Sequence, residues 1–130
     1  MTNNELIKEL LKYDGWEITE TNTANRYRFF VGEELEKACH IFNHLELSTQ
    51  PMLHAYLTDM NILHRIAVKV VRELFTLNVD NDDYTKDMDI KEVKSWIDMS
   101  MYNYPNEQGE HIQLAEAIVN AIRYISANKA

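Results

Sequence analysis

An apolar repeat in the middle of the chain constrains its fold more than any other feature. Seven residues recur with the period of an α-helix and form one wide apolar face: Ile62, Leu63, Ile66, Ala67, Val70, Val71 and Leu74. A face this wide has to be buried against other elements of the protein. The pattern predicts a core helix that begins after Thr58 or Asp59 and ends near Leu74.

Weaker patterns flank this helix on both sides. A first helix is predicted to end at Asp14-Gly15, and the β-prone segments Trp16–Glu20 and Arg26–Val31 predict a hairpin. Further helices are predicted over residues 33–47 and 110–127, and residues 75–79 alternate like a strand.

Residues 90–104 fit two interpretations. A period of 3.6 gives a helical face of Ile90, Val93, Trp96, Ile97 and Met101. A period of 2 turns Ile97, Met99 and Met101 inward, and the aromatic content favours this strand for residues 96–104. The resulting order, α-ββ-α-α-β-β-α, predicts a single α+β domain over residues 1–130. In this α/β/α sandwich-like fold, helices pack on both sides of a small antiparallel sheet.

Composition narrows the class of protein. The 130 residues carry a formal net charge of −8, which argues against direct binding to nucleic acid. The single cysteine, Cys39, excludes an internal disulfide, and no apolar run suits a signal peptide or a membrane span. We therefore expect a protein of the cytoplasm, that of a host cell if the chain is viral.

The negative charge is concentrated between two predicted core elements. Five aspartates occur in ten residues: Asp80, Asp82, Asp83, Asp87 and Asp89. A loop of this kind is too polar to pack and would attract a basic partner. It is the first candidate for a partner-binding surface, although a solvated loop explains the same residues.

Two other surfaces are candidates for binding. Arg65, Lys69 and Arg72 follow one face of the central helix and form a basic strip, suited to an acidic partner or a nucleic-acid backbone. The second surface combines adaptable and amphipathic side chains, of which we expect at least half to be buried: Met99, Met101, Tyr102 and Tyr104.

Signals for chemistry are weak. His40 and His44 share a face of the predicted helix over 33–47, as metal ligands can, but a third ligand and the adjacent glutamate of a zinc protease are missing. Phosphate loops, dinucleotide fingerprints and nucleophile elbows are absent from the sequence. We predict no catalytic residues, no metal and no cofactor.

Three stretches carry a resemblance to a known family. They are residues 56–61 (Tyr-Leu-Thr-Asp-Met-Asn) before the central helix with its Val-Val-Arg-Glu-Leu run, residues 96–100 (Trp-Ile-Asp-Met-Ser), and residues 115–122 (Ala-Glu-Ala-Ile-Val-Asn-Ala-Ile). Over residues 53–125 the chain resembles the phage ABA-sandwich domain proteins. Where that family carries a tryptophan after the aspartate, this chain has Ile-Leu-His. The resemblance implies phage origin and helix–strand–strand–helix packing, and it implies no catalytic residue.

These observations favour a small, phage-encoded, non-enzymatic protein that binds a host or phage protein with a basic surface. In its most specific form, this hypothesis describes an inhibitor of a host defence or nucleic-acid enzyme, of the anti-CRISPR type. A nucleic-acid-associated accessory protein using the basic strip is the first alternative. A small metal-dependent hydrolase built on the histidines is the second. A homodimer is compatible with each of them.

Overall fold

A computed structural model of the chain describes residues 1–20, 26–31, 35–43, 51–77 and 84–128, with side chains described over 1–16, 52–77 and 89–128. The described residues form five helices and three strands: α1 (Asn3–Tyr13), β1 (Trp16–Glu20), β2 (Arg26–Val31), β3 (Leu35–Asn43), α2 (Pro51–Thr58), α3 (Met60–Thr76), α4 (Tyr84–Ser100) and α5 (Ile112–Asn128). They fall into two compact units, Met1–Asp59 and Met60–Ala130. One domain over the whole chain stays a prediction.

Helix α1 opens the first unit with a capping box. The Glu5 amide donates to Thr2 Oγ1 and the Thr2 amide donates to Glu5 Oε2, each at 3.2 Å, which satisfies N–H groups at the start of the helix. The apolar stripe of this helix is fully buried: Leu6, Ile7, Leu10 and Leu11. The predicted end is also confirmed, because Gly15 follows Asp14 with a φ of 99°, a conformation that favours glycine.

A hydrogen-bonded triad joins α2 to the segment after α1. The Trp16 indole N–H donates to Tyr56 Oη at 3.2 Å, and the Tyr56 hydroxyl donates to Asp14 Oδ2 at 2.5 Å. Tyr56 is buried beside the fully buried Leu53 and Leu57 on α2. The triad therefore fixes the end of α1, the start of β1 and the middle of α2 to one another.

After Trp16, the strands of the first unit are described in their backbone pairing alone. β1 pairs antiparallel with β2, from Trp16 opposite Val31 to Glu20 opposite Tyr27, as the predicted hairpin requires. The predicted helix over residues 33–47 is wrong, because residues 35–43 form β3 and pair antiparallel with β2. Helix propensity is a weak preference, and pairing with a neighbouring strand overrides it here.

Helices α3, α4 and α5 pack against one another in the second unit. The core helix predicted from the central repeat is confirmed as α3, which buries Leu63, Ile66, Ala67, Val70 and Leu74. The last predicted helix is confirmed as α5, and its buried face is the widest of the three: Leu114, Ala115, Ile118, Val119, Ala121, Ile122 and Ile125.

The two strands predicted in the second unit are wrong. Phe75 and Thr76 end α3, and residues 96–100 belong to α4. Ile90 and Ile97, seven residues apart, are both buried, so the helical period is the correct one for this segment. Met99, which a strand would turn inward together with Ile97, is 62% exposed.

The predicted fold class is therefore wrong. The described core is built from helices, and in the second unit the described residues, 60–77 and 84–128, contain no strand on which helices could pack from both sides. This excludes the α+β sandwich, and with it the helix–strand–strand–helix packing that the family resemblance implies for residues 53–125. The strand prediction failed because it took exposed aromatic residues as a sign of a sheet.

Candidate interaction surface

Large apolar side chains are exposed at the end of α4 and in the turn that follows it. Trp96 is 59% exposed, Met99 62%, Tyr102 87% and Tyr104 96%. The expectation that at least half of the methionine–tyrosine surface is buried is wrong, since only Met101 among its four members is even half-buried. Single exposed apolar residues are ordinary, but a group of them marks a binding surface.

A groove between α4 and α5 lies beside this group. Its volume is about 500 Å³, within the range of ligand pockets. Val93, Trp96, Met99, Ser100 and Asn103 line one side, and the other side is lined by Gln113, Glu116, Ala117 and Asn120. We call this the α4–α5 groove.

Helical spacing explains how α4 builds its side of the groove. At about 100° per residue, positions seven apart lie almost in line along a helix. Asp89 and Trp96 form one such row, and Glu92 and Met99 form the next. Each row begins with a carboxylate and continues into an apolar side chain. The side of α4 that borders the groove therefore carries carboxylates near the start of the helix and apolar side chains toward its end.

The opposite side of α4 is polar and carries positive charge. Lys91 and Lys94 lie more than about 130° around the helix from Trp96, on the side away from the groove. The Lys94 ammonium binds the Asp98 carboxylate at 3.0 Å, an exposed pair one helical turn apart. Of the described charges of α4, Asp89 and Glu92 thus lie toward the groove, whereas Lys91, Lys94 and Asp98 lie away from it.

The groove is closed at one end by polar contacts. The Asn103 side-chain amide donates to Gln113 Oε1, which joins the end of α4 to the start of α5 and sets the two helices antiparallel. The Ser100 hydroxyl donates to the Trp96 carbonyl at 2.7 Å and is itself buried. These bonds hold the backbone from which Trp96 and Met99 project.

The turn between α4 and α5 is organised by Asn106. Its Oδ1 accepts from the amides of Gln108 at 3.1 Å and Glu110 at 2.8 Å, and its side-chain N–H donates to Glu110 Oε1 at 3.0 Å. Glu110 is only 8% exposed, so Asn106 supplies a partner to a buried carboxylate. Gly109, with a φ of 77°, completes the turn.

The predicted acidic surface falls mostly outside the described side chains. Asp80, Asp82 and Asp83 lie outside the described residues. Asp87 and Asp89 belong to α4, so the loop predicted to run to residue 89 is wrong over residues 84–89. The side chain of Asp89 is half-buried, one turn before Val93, the first α4 residue that lines the groove. Asp87 and Asp89 are therefore carried by the same helix as Trp96.

The predicted basic strip lies on α3. Arg65, Lys69 and Arg72 are all exposed and share the face opposite the buried residues of that helix. Their arrangement is confirmed, and a role in binding an acidic partner stays a prediction.

His40 and His44, the pair considered for a metal, do not share a helix. His40 belongs to β3, and His44 lies outside the described residues. Among the residues with described placement, no group of three or more histidine, cysteine or carboxylate side chains could hold a metal ion. The one-turn spacing that suggested a shared metal depended on a helix that does not form.

Among the nine described residues that line the groove, the sequence patterns single out only Met99 as a candidate for binding. They favour a strand for Trp96 and point to no site on the four residues of α5. Gln113, Glu116, Ala117 and Asn120 nevertheless follow the spacing i, i+3, i+4, i+7 and form a second stripe beside the buried face of α5. That stripe is the signal that could have found the other side of the groove.

Comparison of the chain with known protein families, curated proteins and solved structures finds no match. Across the described residues, no helix is long and apolar enough to cross a lipid bilayer. The geometry of the α4–α5 groove is therefore the main guide to function.

Proposed function

We propose that this protein is not an enzyme and acts by binding another protein through the α4–α5 groove. The observation that carries the proposal is the exposure of Trp96 and Met99 at the edge of a groove of about 500 Å³. Tryptophan and methionine are enriched at protein interfaces, and a tryptophan that fills a partner's pocket often dominates the binding energy.

The composition of the groove supports a binding role over a catalytic one. Its described lining combines apolar side chains with the neutral side chains of Ser100, Asn103, Gln113 and Asn120, and it has a single ionisable residue, Glu116. General acid–base and nucleophilic catalysis need at least two groups acting together. An apolar centre with a polar border is instead typical of a protein interface.

The site differs from the first candidate of the sequence, the acidic run from Asp80 to Asp89. That run stays a prediction as a surface that attracts a basic partner, and its last member, Asp89, lies on the same helix as Trp96. The narrower prediction of a phage inhibitor of a host defence or nucleic-acid enzyme also stays a prediction. It requires a protein-binding surface, which the groove would provide.

The proposal is tested by capture and affinity measurement with matched baits. Wild-type protein and the variants Trp96→Ala and Phe75→Ala are used to capture proteins from a lysate of the source cells. The captured partner is then purified and its Kd measured by calorimetry. Phe75 is the control because it is 56% exposed, close to the 59% of Trp96, and lies on α3 outside the groove.

We expect Trp96→Ala to weaken binding by about 30-fold or more, the effect of losing a dominant interface residue. Phe75→Ala should bind as tightly as the wild type. A partner that binds Trp96→Ala with unchanged Kd contradicts the proposal. So does a lysate from which wild-type and Trp96→Ala baits capture the same proteins in the same amounts.

A further inference from the structure

One carboxylate lines the groove, and two more precede its lining residues on α4. Glu116 is the single ionisable residue among the nine described residues that line it. Asp89 and Glu92 continue the rows of Trp96 and Met99 toward the start of α4, with Asp89 half-buried and Glu92 exposed. All three are formally negative, so the groove carries negative charge beside a tryptophan.

Among the described side chains of α4, the cations lie away from the groove. Lys91 and Lys94 are on the other side of the helix, where Lys94 is paired with Asp98. On α5, Arg123 lies one turn beyond Asn120, at the end of the groove nearest Asp89 and Glu92, so the described charges at that end are two carboxylates and one guanidinium. The whole chain has a formal net charge of −8, which adds to the local field. The charge complementary to this groove is therefore positive.

The walls of the groove favour a helix as the occupant. Both walls are α-helices, whose backbone groups are already bonded within the helix, so they offer no free edge to an extended strand. A helical segment satisfies its own backbone and contributes only side chains. Val93 to Ser100 spans about 10 Å, or two helical turns, which suits a short amphipathic helix.

We infer that the α4–α5 groove binds an amphipathic helix of a partner protein that carries lysine or arginine beside its apolar face. The apolar residues of that helix would contact Trp96, Met99 and Ala117. Its cations would lie near Glu92 and Glu116. This inference rests on the proposed function and specifies the chemistry of the partner.

Two probe peptides test the inference without knowledge of the natural partner. The first is a leucine–lysine peptide of about 14 residues, long enough to become helical on docking, with leucine at helical spacing. The second is its twin with glutamate in place of every lysine. Each is titrated by calorimetry into the full chain at about 50 mM and about 300 mM salt.

We expect the basic peptide to bind at least about tenfold more tightly than its acidic twin and to weaken at the higher salt concentration. Trp96→Ala should weaken the basic peptide by about tenfold or more. Glu116→Gln should weaken it severalfold. Glu73→Gln is the matched control, because it removes the same charge from another half-buried glutamate of a 17-residue helix, and it should leave binding unchanged.

Four results would overturn the inference. Equal binding of the twins would remove the preference for positive charge, and binding that survives Trp96→Ala would indicate attraction to the net charge alone. Failure of both peptides to bind would count against a helical occupant. A dimer detected by light scattering that dissociates in the Trp96→Ala variant would show that a second copy of the chain occupies the groove. Twins that bind equally but require Trp96 would leave the proposed function standing, since the capture experiment decides it separately.

Discussion

Helices α3 and α4 belong to the same unit and have the same length of 17 residues, yet they use their apolar side chains differently. In α3 the buried residues follow one face, from Leu63 to Leu74, and Phe75 in the last turn is the one large apolar side chain that is more than half exposed. In α4 the apolar residues divide between two directions. Ile90 and Ile97 are buried, whereas Trp96 and Met99 are 59% and 62% exposed.

The difference shows that the apolar residues of a helix can serve two purposes. Ile97 and Trp96 are neighbours in sequence, and about 100° of rotation separates a residue that holds the unit together from one that is available to a partner. Where a helix has a single apolar face, packing in the protein core accounts for that face. A helix with two apolar directions has a second surface that folding does not explain.

Substituting a charge into each helix is the strongest test of this comparison. Val70→Asp in α3 places an unpaired carboxylate at a position with no solvent exposure, and we expect it to lower the free energy of unfolding by about 4 kcal/mol or more. Met99→Asp in α4 should change it by less than about 1 kcal/mol. Urea unfolding followed by circular dichroism measures both. Equal losses would mean that α3 and α4 do not differ in this way.

A second test uses adjacent residues of α4. Ile97→Ala removes a fully buried side chain and should lower the free energy of unfolding by about 3 kcal/mol. Trp96→Ala removes a larger but mostly exposed side chain and should cost about 1 kcal/mol. Thermal or urea denaturation shows which of the two variants loses more stability. A larger loss for Trp96→Ala would place the tryptophan in the core instead of at an interface.

A substitution in the turn after α4 should cause an intermediate loss in the free energy of unfolding. Asn106→Ala removes three side-chain hydrogen bonds and leaves the buried Glu110 carboxylate without one of its partners, so we expect a loss of about 2 kcal/mol. Asn103→Ala is the control, since its bond to Gln113 is exposed and should contribute less than about 1 kcal/mol. Unfolding midpoints in urea that coincide for the two variants would contradict this role of Asn106.

The smallest contribution to stability is expected from the ion pair on the side of α4 away from the groove. The Lys94–Asp98 pair is 3.0 Å long, but its side chains are 39% and 49% exposed, so solvent and salt screen it. A double-mutant cycle with Lys94→Gln and Asp98→Asn should give a coupling free energy of about 0.3 kcal/mol that disappears at high salt. A coupling above about 1 kcal/mol would show that this side also stabilises the helix.

The same comparison explains which elements could be predicted from the sequence. Helices α1, α3 and α5 each present one continuous apolar stripe, so local periodicity was sufficient. The segment that forms β3 pairs with β2, and such pairing depends on a strand elsewhere in the chain, which local patterns do not reveal. In α4 the buried apolar residues and the exposed apolar residues point in two directions. Together they produce a sequence pattern that resembles the alternation of a strand.

The binding surface was predictable only in part for a related reason. Met99, Tyr102 and Tyr104 could be named because methionine and tyrosine are common at interfaces. Trp96 and the α5 residues become a site only when two helices lie side by side, which brings residues 93–103 next to residues 113–120. That proximity is tertiary and is not visible in a single stretch of sequence.

The triad around Tyr56 has a consequence for spectroscopy. The chain has two tryptophans, one in each unit. The indole of Trp16 is hydrogen-bonded and part-buried, whereas that of Trp96 is already largely in water in the folded state. Unfolding therefore changes the surroundings of Trp16 far more than those of Trp96. The emission wavelength of the whole protein then follows the first unit, while far-ultraviolet ellipticity follows mainly the long helices of the second. Two optical signals recorded on one unmodified sample thus monitor two halves of the molecule, and their coincidence or separation during denaturation reveals whether those halves unfold together.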